Sequence, residues 1–108
     1  MNSASGNFFD LPQTLSKGFE TFQEIISNEN LTVERIISTG QVTPNSQWLE
    51  QDKNEWVLLL QGESELVFVD GERWELKKGD YLLIPKNKKH KVSSTSIEPP
   101  CIWLAIYY

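Results

Sequence analysis

The stretch Glu55-Trp56-Val57-Leu58-Leu59-Leu60-Gln61-Gly62 opens a segment, running to His90, whose reading decides the fold. A short apolar run closed by glycine is too short to cap as a helix and reads as a strand buried on both faces, with Glu55 an acid at its mouth. A second apolar run, Gly79-Asp80-Tyr81-Leu82-Leu83-Ile84-Pro85, is opened by glycine and closed by proline, and it leads through Lys86-Asn87-Lys88-Lys89 to His90, the single histidine. Between them, Glu65-Leu66-Val67-Phe68-Val69 and Glu72-Arg73-Trp74-Glu75-Leu76 flank Asp70-Gly71, a pair that predicts a hairpin with a two-residue type I′ turn.

Outward from this centre the strands continue. Leu31-Thr32-Val33-Glu34-Arg35-Ile36-Ile37-Ser38 is rich in β-branched residues, follows the turn-forming Asn28-Glu29-Asn30 and stops before Gly40. Phe19, Phe22, Ile25 and Ile26 fit helical spacing as well as a strand, and the strand reading is adopted here. Gln41 to Asn54, with a turn at Pro44-Asn45-Ser46, is expected to form a strand edge and a loop. His90, Val92 and Ser94 alternate with Lys91, Ser93 and Thr95, and Cys101 to Ile106 makes the last strand. A hairpin about Ser96 to Pro100 would pair His90 near Ile106 and Cys101 near Thr95, which keeps Cys101 away from His90. Residues 1–14 form an N-terminal arm, frayed over Met1 to Gly6, and residues 15–108 form one all-β domain of seven or eight short strands, a sandwich or barrel.

Composition narrows the function. At 108 residues the chain supports one core, and a formal net charge of −5 argues against a nucleic-acid partner. No apolar run approaches the ~20 residues needed to span a bilayer, so no membrane association and a cytoplasmic location are expected. One cysteine forms no intrachain disulfide. Lys86, Lys88, Lys89 and Lys91 make a locally basic loop beside His90, attractive to an anionic ligand or simply a guard against edge pairing.

The spacing of five of these residues resembles the cupins, small RmlC-like jelly-roll barrels with motifs G-x5-H-x-H-x(3,4)-E-x6-G and G-x5-P-x-G-x2-H-x3-N. Glu55 with Gly62 matches the second half of the first motif, and Gly79, Pro85 and His90 match the second. The wider pattern, Glu55-Trp56-Val57, Gly79-Asp80, Ile84-Pro85, Thr95-Ser96, Pro99-Pro100 and Trp103-Leu104-Ala105, is similar to single-domain cupins described as like mannose-6-phosphate isomerases. The resemblance covers roughly Leu31 to Tyr107 and implies a double-stranded β-helix, a homodimer and a divalent metal, manganese, iron or zinc. In cupins two motif-one histidines, the glutamate and the motif-two histidine hold that metal. Here the histidine pair is replaced by Trp48 and Glu50, or by Leu49 and Gln51, Asn87 stands for the motif-two glycine and Ser94 for its asparagine.

Two functions follow as expectations. In one, Glu50, Glu55 and His90 form a reduced metal site, with Glu55 and His90 catalytic on a small polar or anionic substrate. In the other the barrel is non-catalytic and metal-free, has lost the motif-one histidines, and binds or senses a small molecule; between the two stands a metal-free pocket in which Glu55 and His90 form a hydrogen-bonded acid–base pair for proton transfer.

Overall fold

The structure, a computed structural model, describes residues 5–108; Met1 to Ala4, the start of the expected frayed terminus, lie outside the described residues. Eight strands follow in order: β1 (Thr21–Ser27), β2 (Thr32–Ser38), β3 (Glu55–Gln61), β4 (Ser64–Phe68), β5 (Arg73–Leu76), β6 (Tyr81–Ile84), β7 (His90–Thr95) and β8 (Cys101–Tyr107). They form a five-stranded sheet, β1-β2-β8-β3-β6, and a three-stranded sheet, β5-β4-β7, with every pairing antiparallel. Among the described residues there is no helix, and so none long and apolar enough to cross a membrane.

The core lies between the sheets and takes residues from both. Ile36, Val57, Leu59, Trp103 and Ala105 of the larger sheet meet Leu66, Phe68 and Leu76 of the smaller. The period of two decides which side of β3 points inward: Glu55, Val57 and Leu59 are buried, whereas Trp56, Leu58 and Leu60 are only half-buried. This corrects the expectation of a strand buried on both faces. Its outer side lies on the outer surface of the larger sheet, next to exposed Tyr81 and Leu83 of β6.

Three further expectations are refined. The segment with mixed periodicity is strand β1, and a register shift between Glu24 and Ile26 against β2 supplies the odd residue that blurred its pattern. The β4–β5 turn is not type I′. Only Gly71 has positive φ, at 94°, while Asp70 does not, and the Gly71 amide donates to the Phe68 carbonyl at 2.9 Å. The loop is thus three residues, Val69-Asp70-Gly71, with glycine in the left-handed position. The Asp70 carboxylate accepts from the Glu72 amide at 3.0 Å, a local bond that suits it to this turn. Finally, β7 and β8 do not form a hairpin: β7 pairs with β4, and β8 lies between β2 and β3 in the other sheet. Cys101 is buried at the Gly62 end of β3, its thiol donating to the Glu63 carbonyl at 3.2 Å.

Residues 7–10 lie against β2. Arg35 on the outer side of β2 donates to the carbonyls of Asn7, Phe8 and Asp10 at 3.2, 3.1 and 2.8 Å, and to Gln23 at 2.6 Å. One guanidinium thereby satisfies three backbone acceptors of a segment without regular structure.

Candidate functional site

Glu55 is the first residue of β3 and His90 the first of β7, and the strands belong to opposite sheets. Both side chains point inward, so they face each other at one end of the barrel, in a cavity of about 250 Å³. Its walls are mostly apolar, with Ile36, Val57, Leu66, Ile84, Val92 and Trp103, and its polar residues are Glu50, Gln51, Glu55, His90 and Tyr107.

The loop before β3 sits beside His90 because its backbone pairs with β7. Leu49 and His90 exchange two backbone hydrogen bonds at 2.7 and 3.0 Å, and the Thr43 amide donates to the Val92 carbonyl at 2.9 Å. The expected strand edge is therefore one bridge and a companion bond. From the other side, the Asn87 amide donates to the Gln51 carbonyl at 2.7 Å. Asn87 holds φ at 64°, the left-handed conformation its place in the motif implied, and asparagine tolerates it better than other side chains. Replacing it by alanine is expected to lower stability by about 1 kcal/mol, and by glycine to change it by no more than about 0.5 kcal/mol, as read from urea midpoints.

The polar centre has a definite arrangement. His90 Nδ1 lies 2.9 Å from the Lys88 carbonyl, which only accepts, so Nδ1 carries the proton. In the neutral ring Nε2 is then an acceptor. It lies 4.0 Å from Glu55 Oε1, too far for a direct hydrogen bond. Glu55 accepts from the Gln51 amide at 2.6 Å on Oε1 and from the Tyr107 hydroxyl at 3.3 Å on Oε2.

Burial dominates the proton affinities. It raises the Glu55 carboxyl to about 7, against the pull of the Gln51 and Tyr107 hydrogen bonds, and the charges of Glu34 and Glu20 add to the rise. Burial also lowers His90 below its ordinary value, partly offset by the bond to Lys88. The Tyr107 hydroxyl is pushed up, first by burial and then by the Glu55 charge, so it stays a donor. At neutral pH the cavity thus presents a neutral imidazole opposite a carboxyl close to half-ionised.

Glu50 is exposed and lines the cavity without joining the pair. Among the described residues no group of three or more histidine, cysteine, aspartate or glutamate side chains is placed to hold a metal ion. Manganese, iron or zinc would meet one imidazole nitrogen and one carboxylate, short of the roughly three ligands such a site offers. Gln51, which could have added a weak oxygen, instead aims its N–H at Glu55. The expected set of Glu50, Glu55 and His90 therefore does not assemble, and the residues present do not fit a divalent metal.

The basic loop is also turned outward. Lys88 pairs with Asp70 at 3.6 Å and covers the Phe68 ring, Lys91 lies over Trp48, and no lysine lines the cavity. Of the four tryptophans it is Trp103 that lines the cavity, with its indole N–H donating to Ser38 at 3.2 Å. Sequence reasoning missed Tyr107, which register places directly opposite Glu55. The alternation Cys101, Trp103, Ala105, Tyr107 carried that signal.

The comparisons agree with this architecture. The cupin domain family matches residues 34–107. A protein from Ralstonia eutropha JMP134, provisionally named a mannose-6-phosphate isomerase, superposes with a TM-score of 0.89 at 31% identity over 97% of both chains. A cupin superfamily protein from Desulfitobacterium hafniense DCB-2 gives 0.71 at 18% identity over 87% of this chain and 81% of its own. The DMSP lyase DddQ from Ruegeria pomeroyi DSS-3 gives 0.69 at 17% identity over 82% of this chain and 46% of its own. No curated protein matches the sequence. With the family matched from Glu34 to Tyr107 and the two-sheet barrel in place, the chain belongs to the cupins.

Proposed function

We propose that this cupin binds a small molecule in the cavity without a metal, and that Glu55 and His90 are the acid–base pair that exchanges protons with it. The observation that carries this reading is the 4.0 Å gap between His90 Nε2 and Glu55 Oε1. Two groups that merely satisfied each other would close to about 2.8 Å. Instead Nε2 faces the cavity with no hydrogen-bond partner among the described residues. An acceptor left open to the cavity in this way suits a ligand atom. The carboxyl near 7 and the neutral imidazole supply acid and base at the same pH, as general acid–base chemistry requires. The apolar walls suit a ligand with a polar head and an apolar body.

The test has two parts. Untagged protein is expected to carry far less than one divalent metal per chain, and added manganese, iron(II) or zinc to leave its melting temperature unchanged. Small molecules are then screened by the ring resonances of the single histidine. Hits that move those resonances and lose binding in His90→Ala support the reading. Stoichiometric metal that disappears in His90→Ala would overturn it.

A further inference from the structure

The gap between His90 and Glu55 specifies the head group it accepts. His90 Nε2 is an acceptor, because Nδ1 is committed to the Lys88 carbonyl. Glu55 Oε1 retains acceptor capacity beyond its bond to Gln51, since an ionised carboxylate oxygen has two lone pairs. Two acceptors 4.0 Å apart can both be reached by one atom at about 2.8 Å from each, provided that atom donates twice. A hydroxyl donates once and a carboxylate not at all. An ammonium nitrogen donates up to three times.

The surroundings point the same way. No lysine or arginine lines the cavity, while Glu50 and Glu55 do, and the charges of Glu34 and Glu20 are felt at Glu55. The aromatic residues Phe22, Trp103 and Tyr107 also line it, and aromatic faces attract cations. At about 250 Å³ the cavity holds the equivalent of about eight water-sized groups, which limits the body of the ligand. We propose that the space between His90 Nε2 and Glu55 Oε1 seats the ammonium group of a small primary amine whose apolar body lies against Trp103 and Phe22. This rests on the cavity being a ligand site at all.

The experiment uses the whole chain and three head groups on two bodies: butylamine, butanol and butyrate, and 2-phenylethylamine, 2-phenylethanol and 3-phenylpropanoate. Affinity is measured by calorimetry, and the histidine ring resonances report the site. At pH 7.5 an amine is expected to bind at least tenfold tighter than its alcohol, with no binding of the carboxylate. Because the ammonium favours ionised Glu55, affinity should be lost as pH falls below about 7. In Glu55→Gln the preference should collapse to within threefold. If an alcohol or a carboxylate binds as well as the amine and moves the histidine resonances, the amine assignment is wrong while the pocket stands. If none of the six moves them, both the assignment and the pocket fall.

Discussion

Gly62→Ala is expected to lower stability by about 4 kcal/mol, combining a strained left-handed backbone with overpacking, and to bring the melting temperature down by roughly 20 °C. Gly62 holds φ at 94°, and an added Cβ would lie 2.7 Å from Ser96 Oγ and 2.9 Å from both Cα and Sγ of Cys101. The serine hydroxyl could rotate away, but the Cys101 Cα belongs to β8 and is held by its pairing with Ser38 of β2. Gly71→Ala is the control. It has the same φ of 94° with nothing within 4 Å, so only the backbone term of about 1 kcal/mol applies. Urea denaturation of both variants separates strain from contact, and equal losses would show that β8 yields to the methyl group.

Glu55→Gln is expected to stabilise the protein at alkaline pH and to leave it nearly unchanged in acid. A buried carboxyl whose pKa rises from 4.5 to about 7 favours the folded state below 4.5, and this advantage is lost as pH rises through 7. The full difference is about 3 kcal/mol. Glutamine keeps the shape and an oxygen that accepts from Tyr107 or Gln51, so about 2 kcal/mol of gain should remain at pH 8.5. His90 acts in the opposite direction. Its lowered pKa gives stability that is complete above 6.5 and lost as pH falls toward the folded value. In Glu55→Gln the Glu55 limb is gone and His90 opposes the raised carboxyls of Glu20 and Glu34, so the loss of stability with rising pH should be shallower than in the parent. Urea midpoints at pH 5, 7 and 8.5 measure both effects, and equal midpoints for the variant and the parent at pH 8.5 would place the Glu55 carboxylate in water.

Much of this architecture was legible in the sequence because it rests on local rules. Glycine and proline punctuation bounded β3 and β6, β-branched residues marked β2, and Asn87 could be read as a left-handed stand-in for glycine. The pairing of β7 and β8 was not legible, since the loop over Ser96 to Pro100 is short enough for a hairpin. Only packing decides that it crosses between sheets. The site divided in the same way. Glu55 and His90 were picked out from spacing, and they line one cavity 4.0 Å apart without the direct hydrogen bond expected of them. Glu50 was proposed from spacing alone, but the loop carrying it is pinned by Leu49 and Gln51, and these bonds leave its side chain out of the pair. Alternation along β8 puts Tyr107 on the same face as Trp103 and Ala105, but its place opposite Glu55 comes only from register across the sheet.

The place of β8 also sets an order of events during synthesis. It is the latest of the eight strands to be made, yet it sits between β2 and β3, pairing with residues translated about 70 and 45 positions earlier. Until Cys101 to Tyr107 has left the ribosome, β2 and β3 have no common neighbour and the five-stranded sheet exists only as separate pairs. Ribosome-bound chains arrested before β8 emerges should therefore remain open to protease, and should close together once it is free.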